Sequence, residues 1–181
     1  MPDLLDEGYD VSVVLASDLP DSGLVSARLG SVFSIACASP AYIERHGAPH
    51  VLSDLVRHTC LHLMTPVFPP DRWVDGPNGQ ETVSLDPSTF TLNVAEAMVV
   101  AIRESMGIGV LPTSSVLPGL RAGTLVRVLP QYTMQELNVY ALYPSRQYLD
   151  AKIRTWVEFL REALPDTLAA DAESLKEFVV T

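Results

Sequence analysis

Cysteine is nearly missing from this chain: Cys37 and Cys60 are the two among 181 residues. Cys37 lies inside the apolar run 33–38, and Cys60 just precedes Leu61-His62-Leu63. Both contexts suit buried free thiols better than a disulfide framework, although a pairing of the two stays open. Long hydrophobic runs are missing as well. The longest, 97–102 and 33–38, fall far short of the roughly 20 residues that cross a bilayer. The start, Met1-Pro2-Asp3-Leu4-Leu5-Asp6-Glu7, has neither a basic n-region nor an apolar h-region, so the chain reads as cytoplasmic, without a secretory signal. Cations are few: 12 Lys and Arg stand against 22 Asp and Glu, a net charge of −10. With no basic cluster to neutralise a row of phosphates, this chain alone is not expected to bind DNA, and its acidity reads as a solvated surface.

Catalytic and cofactor signatures are also lacking. There is no Gly-Xaa-Ser-Xaa-Gly, P-loop, dinucleotide fingerprint or paired-carboxylate motif, so neither an enzyme nor a cofactor is expected. His58 and His62 flank Cys60, but a metal site or an activated thiolate needs further ligands or an electropositive setting that the sequence does not offer. One exposed and one packed histidine is the plainer reading. Asp150, Lys152, Arg154 and Glu158, at helical spacing, read as a solvated helix face.

What is present is apolar patterning, with 48% hydrophobic residues. The most informative stretch is Leu92-Asn93-Val94-Ala95-Glu96-Ala97-Met98, followed one helix length later by Met106-Gly107-Ile108-Gly109-Val110-Leu111-Pro112. Asn93 is placed to cap a helix over 94–106, Gly107 ends it, and 108–111 forms the next strand, a tight βαβ crossover. Such units set helix N-termini at the carboxyl ends of parallel strands, where α/β proteins hold small, often anionic ligands.

Strands are expected over 10–15, 24–29, 31–38, 60–64, 90–92, 125–129 and 137–143. Short helices are expected over 41–46, capped by Ser39 before Pro40, and over 53–57, with a helical turn over 114–118. Residues 73–74 and 81–85 suggest a hairpin around Gly76-Pro77-Asn78-Gly79. A long helix over 148–164 places Ile153, Trp156, Val157 and Leu160 at helical spacing and stops before Pro165, leaving an acidic tail over 166–181. The chain opens on the tail of a helix over 4–8, part-way through a pattern. Strands interleaved with helices define an α/β fold.

Several segments recur in one order: Gly8-Tyr9-Asp10-Val11, the stretch 24–30, Cys37-Ala38-Ser39-Pro40-Ala41-Tyr42, His58-Thr59-Cys60-Leu61, Asn93, Gly107-Ile108-Gly109-Val110-Leu111-Pro112, Gly123-Thr124-Leu125-Val126-Arg127-Val128-Leu129-Pro130, Val139-Tyr140-Ala141-Leu142-Tyr143-Pro144 and the last helix. Together, over roughly residues 4–164, they resemble the effector-binding domain of LysR-type transcriptional regulators. The resemblance implies a two-lobed fold like that of type 2 periplasmic binding proteins, with two crossing strands at 32–38 and 137–143. Lobe I would comprise 1–38 with 137–165, and lobe II 39–136. It implies a small-molecule effector between the lobes, self-association as dimer or tetramer, and no membrane partner. DNA would be reached only through a winged helix-turn-helix that this chain does not contain, together with its linker helix and the first strand–helix–strand of lobe I.

By family position the pocket residues are Leu15, Ala16 and Ser17 from lobe I and Leu63, Met64, Thr65, Asn93 and Val94 from lobe II. Ser39 has a hydroxyl that could also reach an anion. Each has a plainer alternative: a strand exit for 15–17, core filling for Met64, and helix capping for Asn93 and Ser39. The effector expected for apolar, cation-poor walls is a compact or aromatic carboxylate. Two other functions fit the resemblance: a solute-binding protein of the same fold, which would need export, and a truncated modulator that pairs with full-length regulators.

Overall fold

A computed structural model describes residues 9–64, 72–75, 81–84, 90–144 and 150–178, with only the backbone for 72–75 and 81–84. The elements in order are β1 (Ser12–Ala16), β2 (Leu24–Ala38), α1 (Pro40–His46), a 3-10 turn (Leu52–Arg57), β3 (Cys60–Leu63), β4 (Arg72–Asp75), β5 (Glu81–Ser84), β6 (Thr91–Leu92), α2 (Ala95–Arg103), β7 (Ile108–Pro112), α3 (Thr113–Arg121), β8 (Val126–Arg127), β9 (Met134–Pro144), α4 (Ala151–Ser174) and a last 3-10 turn (Leu175–Phe178). Two compact units form: Met1–Val32 with Leu137–Ala170, and Phe33–Glu136 with Asp171–Thr181. The chain passes between units three times, inside the long strands β2 and β9 and near the end of α4.

In the first unit β1 lies antiparallel to β9, with Val13 opposite Ala141 and Leu15 opposite Val139. Strand residues two apart share a face, and on one face Ala27, Leu29, Val139 and Ala141 pack against Ile153 and Val157 of α4, with Leu160, Leu164 and Leu168 alongside. That stripe explains why α4 does not stop before Pro165. Proline inside a helix costs about 3 kcal/mol, but ending there would expose Leu164 and Leu168. Leu168 also has a prepared seat: a β-carbon on Gly30 would come within 2.8 Å of its Cδ1. Trp156, expected on the buried stripe, is 50% exposed and stacks on Phe159 with ring centroids 5.6 Å apart. The expected acidic tail is therefore helix as far as Ser174, and Leu175 and Phe178 then join the second unit's core. The two strands expected over 24–29 and 31–38 are one, because Gly30 continues the strand instead of breaking it.

The second unit is a sheet with helices on both faces. β3 pairs parallel with β6 and with β7, while β2 runs antiparallel to β7 and β8. The expected βαβ crossover is present, with β3 inserted between β6 and β7. Period-two alternation divides the core: Ile35 and Cys37 meet α2 and α3, whereas Ala36 and Ala38 meet Tyr42, Leu52 and Leu55. β4 and β5 form the expected antiparallel pair, Trp73 opposite Val83; the Gly76–Gly79 turn lies outside the described residues.

Tyr42 ties α1 to β3 and creates a pH dependence. Its buried hydroxyl accepts the Thr59 backbone N–H at 3.0 Å and lies 3.3 Å from Nδ1 of His58, while His46 stacks on its ring at 4.5 Å. With Thr59 donating, the hydroxyl proton is best placed on an unprotonated Nδ1. Burial lowers the His58 pKa from 6.5, and the nearby His46 lowers it further, against an opposing pull from Asp54. A depressed histidine pKa disfavours the charged form in the native state. Its contribution to stability is complete above the unfolded value near 6.5 and is lost as pH falls below it. We expect the melting temperature to drop between pH 7 and pH 5.5, and H58Q to flatten that slope; an unchanged slope in H58Q would exclude His58 as its source.

Candidate functional site

Because β3, β6 and β7 are parallel, their carboxyl ends share one edge of the second unit. Two helices start there: α2, two residues after β6, and α3, directly after β7. The strands that deliver them lie on either side of β3, about 10 Å apart. Asn93 is not the cap of α2. Val94 occupies that position with φ −124° and ψ 119° and no side-chain hydrogen bond, and Pro112 likewise precedes α3 without a side-chain cap. Among the described residues neither cap position therefore supplies a side-chain acceptor to the first-turn N–H groups, an arrangement suited to binding an anion. α2 is also shorter than the expected 94–106: it ends at Arg103, and Ser105 takes φ 62°.

Leu63, Met64, Asn93 and Val94 come together at this edge. Leu63 is opposite Leu92, and the Met64 N–H donates to the Leu92 carbonyl at 2.7 Å. Met64 and Val94 are 51% and 47% exposed, so Met64 is not core filler. Thr65 lies outside the described residues. A residue the sequence did not single out is Thr113, at the start of α3, whose hydroxyl donates to the Phe33 carbonyl at 3.0 Å where β2 enters this unit. Its signal was a threonine directly following a strand-ending proline.

Ser39 is elsewhere. β2 runs against β7, with Cys37 opposite Gly109 and Ser34 opposite Pro112. Its carboxyl end therefore sits beside the beginnings of β7 and β3, roughly 13 Å along the sheet from Leu63. There the Ser39 hydroxyl accepts the Tyr42 N–H at 3.1 Å and shares a 2.8 Å hydrogen bond with the Ser105 hydroxyl. Ser39 is a buried cap that also fixes the left-handed turn after α2.

In the first unit, Leu15, Ala16 and Ser17 close β1. Ala16 is opposite Asn138, the Asn138 amide donates to the Ser17 carbonyl at 3.2 Å, and its Oδ1 accepts from Arg28 Nε at 2.9 Å. Asn138 and Arg28 add hydrogen-bonding capacity and a cation beside the small side chain of Ala16. Sequence reading missed both, although an amide in the run Leu137-Asn138-Val139-Tyr140 was the available signal.

Neither thiol is set up for chemistry. Burial pushes the Cys37 and Cys60 pKa values up to about 12, and Arg127 only partly offsets this for Cys37. Arg127 is itself buried, with Nη2 donating to the Pro130 carbonyl at 2.9 Å. Among the described residues no group of three His, Cys, Asp or Glu side chains could hold a metal ion, and no helix is long and apolar enough to cross a membrane.

A parallel β6-β3-β7 edge that presents helix N-termini is the architecture of an α/β ligand-binding domain. Residues 1–165 match the family model described as the LysR substrate binding domain, and the chain belongs to that family. It is 28% identical over 178 residues to the probable HTH-type transcriptional regulator LtrA of Klebsiella pneumoniae, covering 96% of this chain and 57% of that protein. It is 33% identical over 164 residues to the HTH-type transcriptional regulator DmlR of Escherichia coli, covering 88% and 52%. The chain thus spans about half the length of these relatives, which are transcriptional regulators and not enzymes. Among solved structures, the regulatory domain of AphB in Vibrio vulnificus superposes with a TM-score of 0.67 at 28% identity, covering 85% of this chain and 74% of that one. The regulatory domain of CrgA, a LysR-type transcriptional regulator from Neisseria meningitidis, gives 0.71 at 25% identity, covering 88% and 78%. The fold is that of type 2 periplasmic-binding-protein-like regulatory domains.

Proposed function

We propose that this domain senses a small organic carboxylate, compact or aromatic, for a cytoplasmic LysR-type regulator. The observation that carries the reading is the pair of uncapped helix N-termini, α2 and α3, on the carboxyl edge of β6-β3-β7. Oriented N–H groups and the helix dipole hold a carboxylate without a cluster of cations, in keeping with the absence of any basic cluster in the chain. Leu63, Met64 and Val94 supply apolar contact, and Asn93 a polar one. Leu15, Ala16 and Ser17, with Asn138 and Arg28, are the residues through which the first unit responds. Binding is relayed to DNA binding and self-association by a parent regulator only if the ligand distinguishes two arrangements of the domain, since equal affinity shifts nothing.

The test is thermal melting of the chain against a panel of small aliphatic and aromatic carboxylates. At one hundred times the dissociation constant, a ligand specific for the native state adds about 2.7 kcal/mol. For a chain this long, that raises the melting temperature by about 5–10 °C. A rise confined to one chemical class is the expected result. A cooperative transition that no carboxylate moves would overturn the proposal.

A further inference from the structure

α3 is a helix that its own sequence does not hold. It runs for nine residues, Thr113–Arg121, and no side chain caps its start. Thr113, Ser114, Ser115 and Val116 are weak helix formers, Gly119 is poorer still, and Pro118 removes the N–H that would bond the Ser114 carbonyl. Gly119 has a packing reason, since a β-carbon there would come within 2.7 Å of Leu125 Cδ1. A helix this short and this poor in helix formers draws its stability from what packs on it.

Part of that packing arrives from the far end of the chain. Val116, Leu117 and Leu120 of α3 share their core with Met98 and Ile102 of α2, and also with Leu175 and Phe178. Leu175 is 2% exposed, Phe178 is partly buried, and at the last turn of α3 the Arg121 Nη2 donates to the Ser174 Oγ at 3.2 Å. Residues 166–178 lie beyond the stretch that the family model matches, and they reach α3 because α4 runs on through Pro165 to Ser174. The segment is lightly built for a piece of core. Its end is a single 3-10 turn, Leu175–Phe178, whose hydrogen-bond geometry is poorer than that of an α-helix. The ion pair it carries, Lys176 with Glu173, is internal and largely exposed, and such pairs contribute little.

We propose that residues 171–178 are a latch on α3. Closed, the latch holds the helix in place through Leu175 and Phe178. Open, the latch and α3 loosen together, because α3 cannot stand without it, while the sheet beneath stays formed. The sheet has its own support: β7 is paired with β2 on one side and β3 on the other. Such a pair of segments is a cooperative unit that opens at a lower free energy than the whole domain. The consequence for ligand binding rests on the carboxylate reading above: a ligand held at the start of α3 and a closed latch favour each other equally.

The test is native-state hydrogen exchange of the whole chain without ligand, so its outcome does not depend on that reading. Amides of 171–178 and of 115–121 are expected to exchange at one common rate, about tenfold or more faster than those of 108–111. F178A, which truncates a partly buried side chain and so keeps the fold, should speed both segments by a further tenfold or so. It should leave 108–111 of β7 and 137–143 of β9 at their wild-type rates. L175A should act in the same direction and more strongly. Four results would each overturn the proposal: protection of 171–178 equal to that of β7, separate rates for 171–178 and α3, an F178A effect confined to 171–178 or missing, or an equal loss of protection in β7.

Discussion

Replacing Gly107 by alanine is expected to destabilise the second unit by about 3 kcal/mol, the sum of a lost buried hydrogen bond and a forced backbone shift. A β-carbon there would be driven into the Thr59 carbonyl oxygen, with the carbonyl carbon at 3.1 Å and Leu61 Cδ2 at 3.2 Å. The obstacle is backbone, not a side chain that can swing away. The same oxygen accepts the Ile108 N–H at 2.9 Å, the bond next to the Cys60–Ile108 register. To admit a methyl group, β3 and β7 must separate where the parallel sheet begins. For a chain of this length the melting temperature should fall by about 6–12 °C. G123A is the control: Gly123 has φ 67° but nothing within 4 Å of a built β-carbon, so conformational strain of about 1 kcal/mol is its whole cost. Equal effects of G107A and G123A would show that the Thr59 contact does not limit the fold.

Gly109 meets a different obstacle and should give a coupled result. Its built β-carbon lies 2.8 Å from Ile102 Cδ1 and 3.6 Å from Met98 Cγ, and both side chains are fully buried. The glycine cannot shift easily, because Cys37 pairs with it on one side and Leu61 on the other. G109A alone overpacks the sheet-to-α2 layer, at about 1–3 kcal/mol. I102V alone removes Cδ1, at about 1 kcal/mol. In the double variant the new methyl group fills the space that Cδ1 leaves, so the combined loss should fall short of the sum by about 1 kcal/mol. Denaturant melts of the four proteins measure this coupling. Strict additivity would mean that Ile102 does not pack on Gly109.

What sequence reading captured were features written locally. Ser39 before Pro40 marked the start of α1, apolar or alternating runs marked β2 and β9, and the turn residues Gly76-Pro77-Asn78-Gly79 marked the β4–β5 pair. It failed where distant contacts decide. Pro165 is a local stop signal, overruled by Leu164 and Leu168 seating beside Gly30. Asn93 is a good cap by type, yet the cap position falls one residue later, at Val94, and α2 begins at Ala95. That Leu63, Met64, Asn93 and Val94 fall at strand ends and a helix start was legible because such positions carry residue signatures. Ser39 was grouped with them because the same signature appears at the end of β2, and nothing local reveals that β2 runs opposite to β3. The Arg28–Asn138–Ser17 network joins residues more than one hundred positions apart, beyond any window.

The most direct test of the central claim is to map amide chemical shifts as a stabilising carboxylate is titrated into the chain. If the uncapped helix starts hold the anion, the largest shifts fall on the backbone N–H groups of Ala95, Glu96 and Ala97 and of Thr113, Ser114 and Ser115. Smaller ones are expected at Met64, Asn93 and Val94. Saturable binding that leaves these amides unmoved while others shift would place the effector elsewhere and contradict the account.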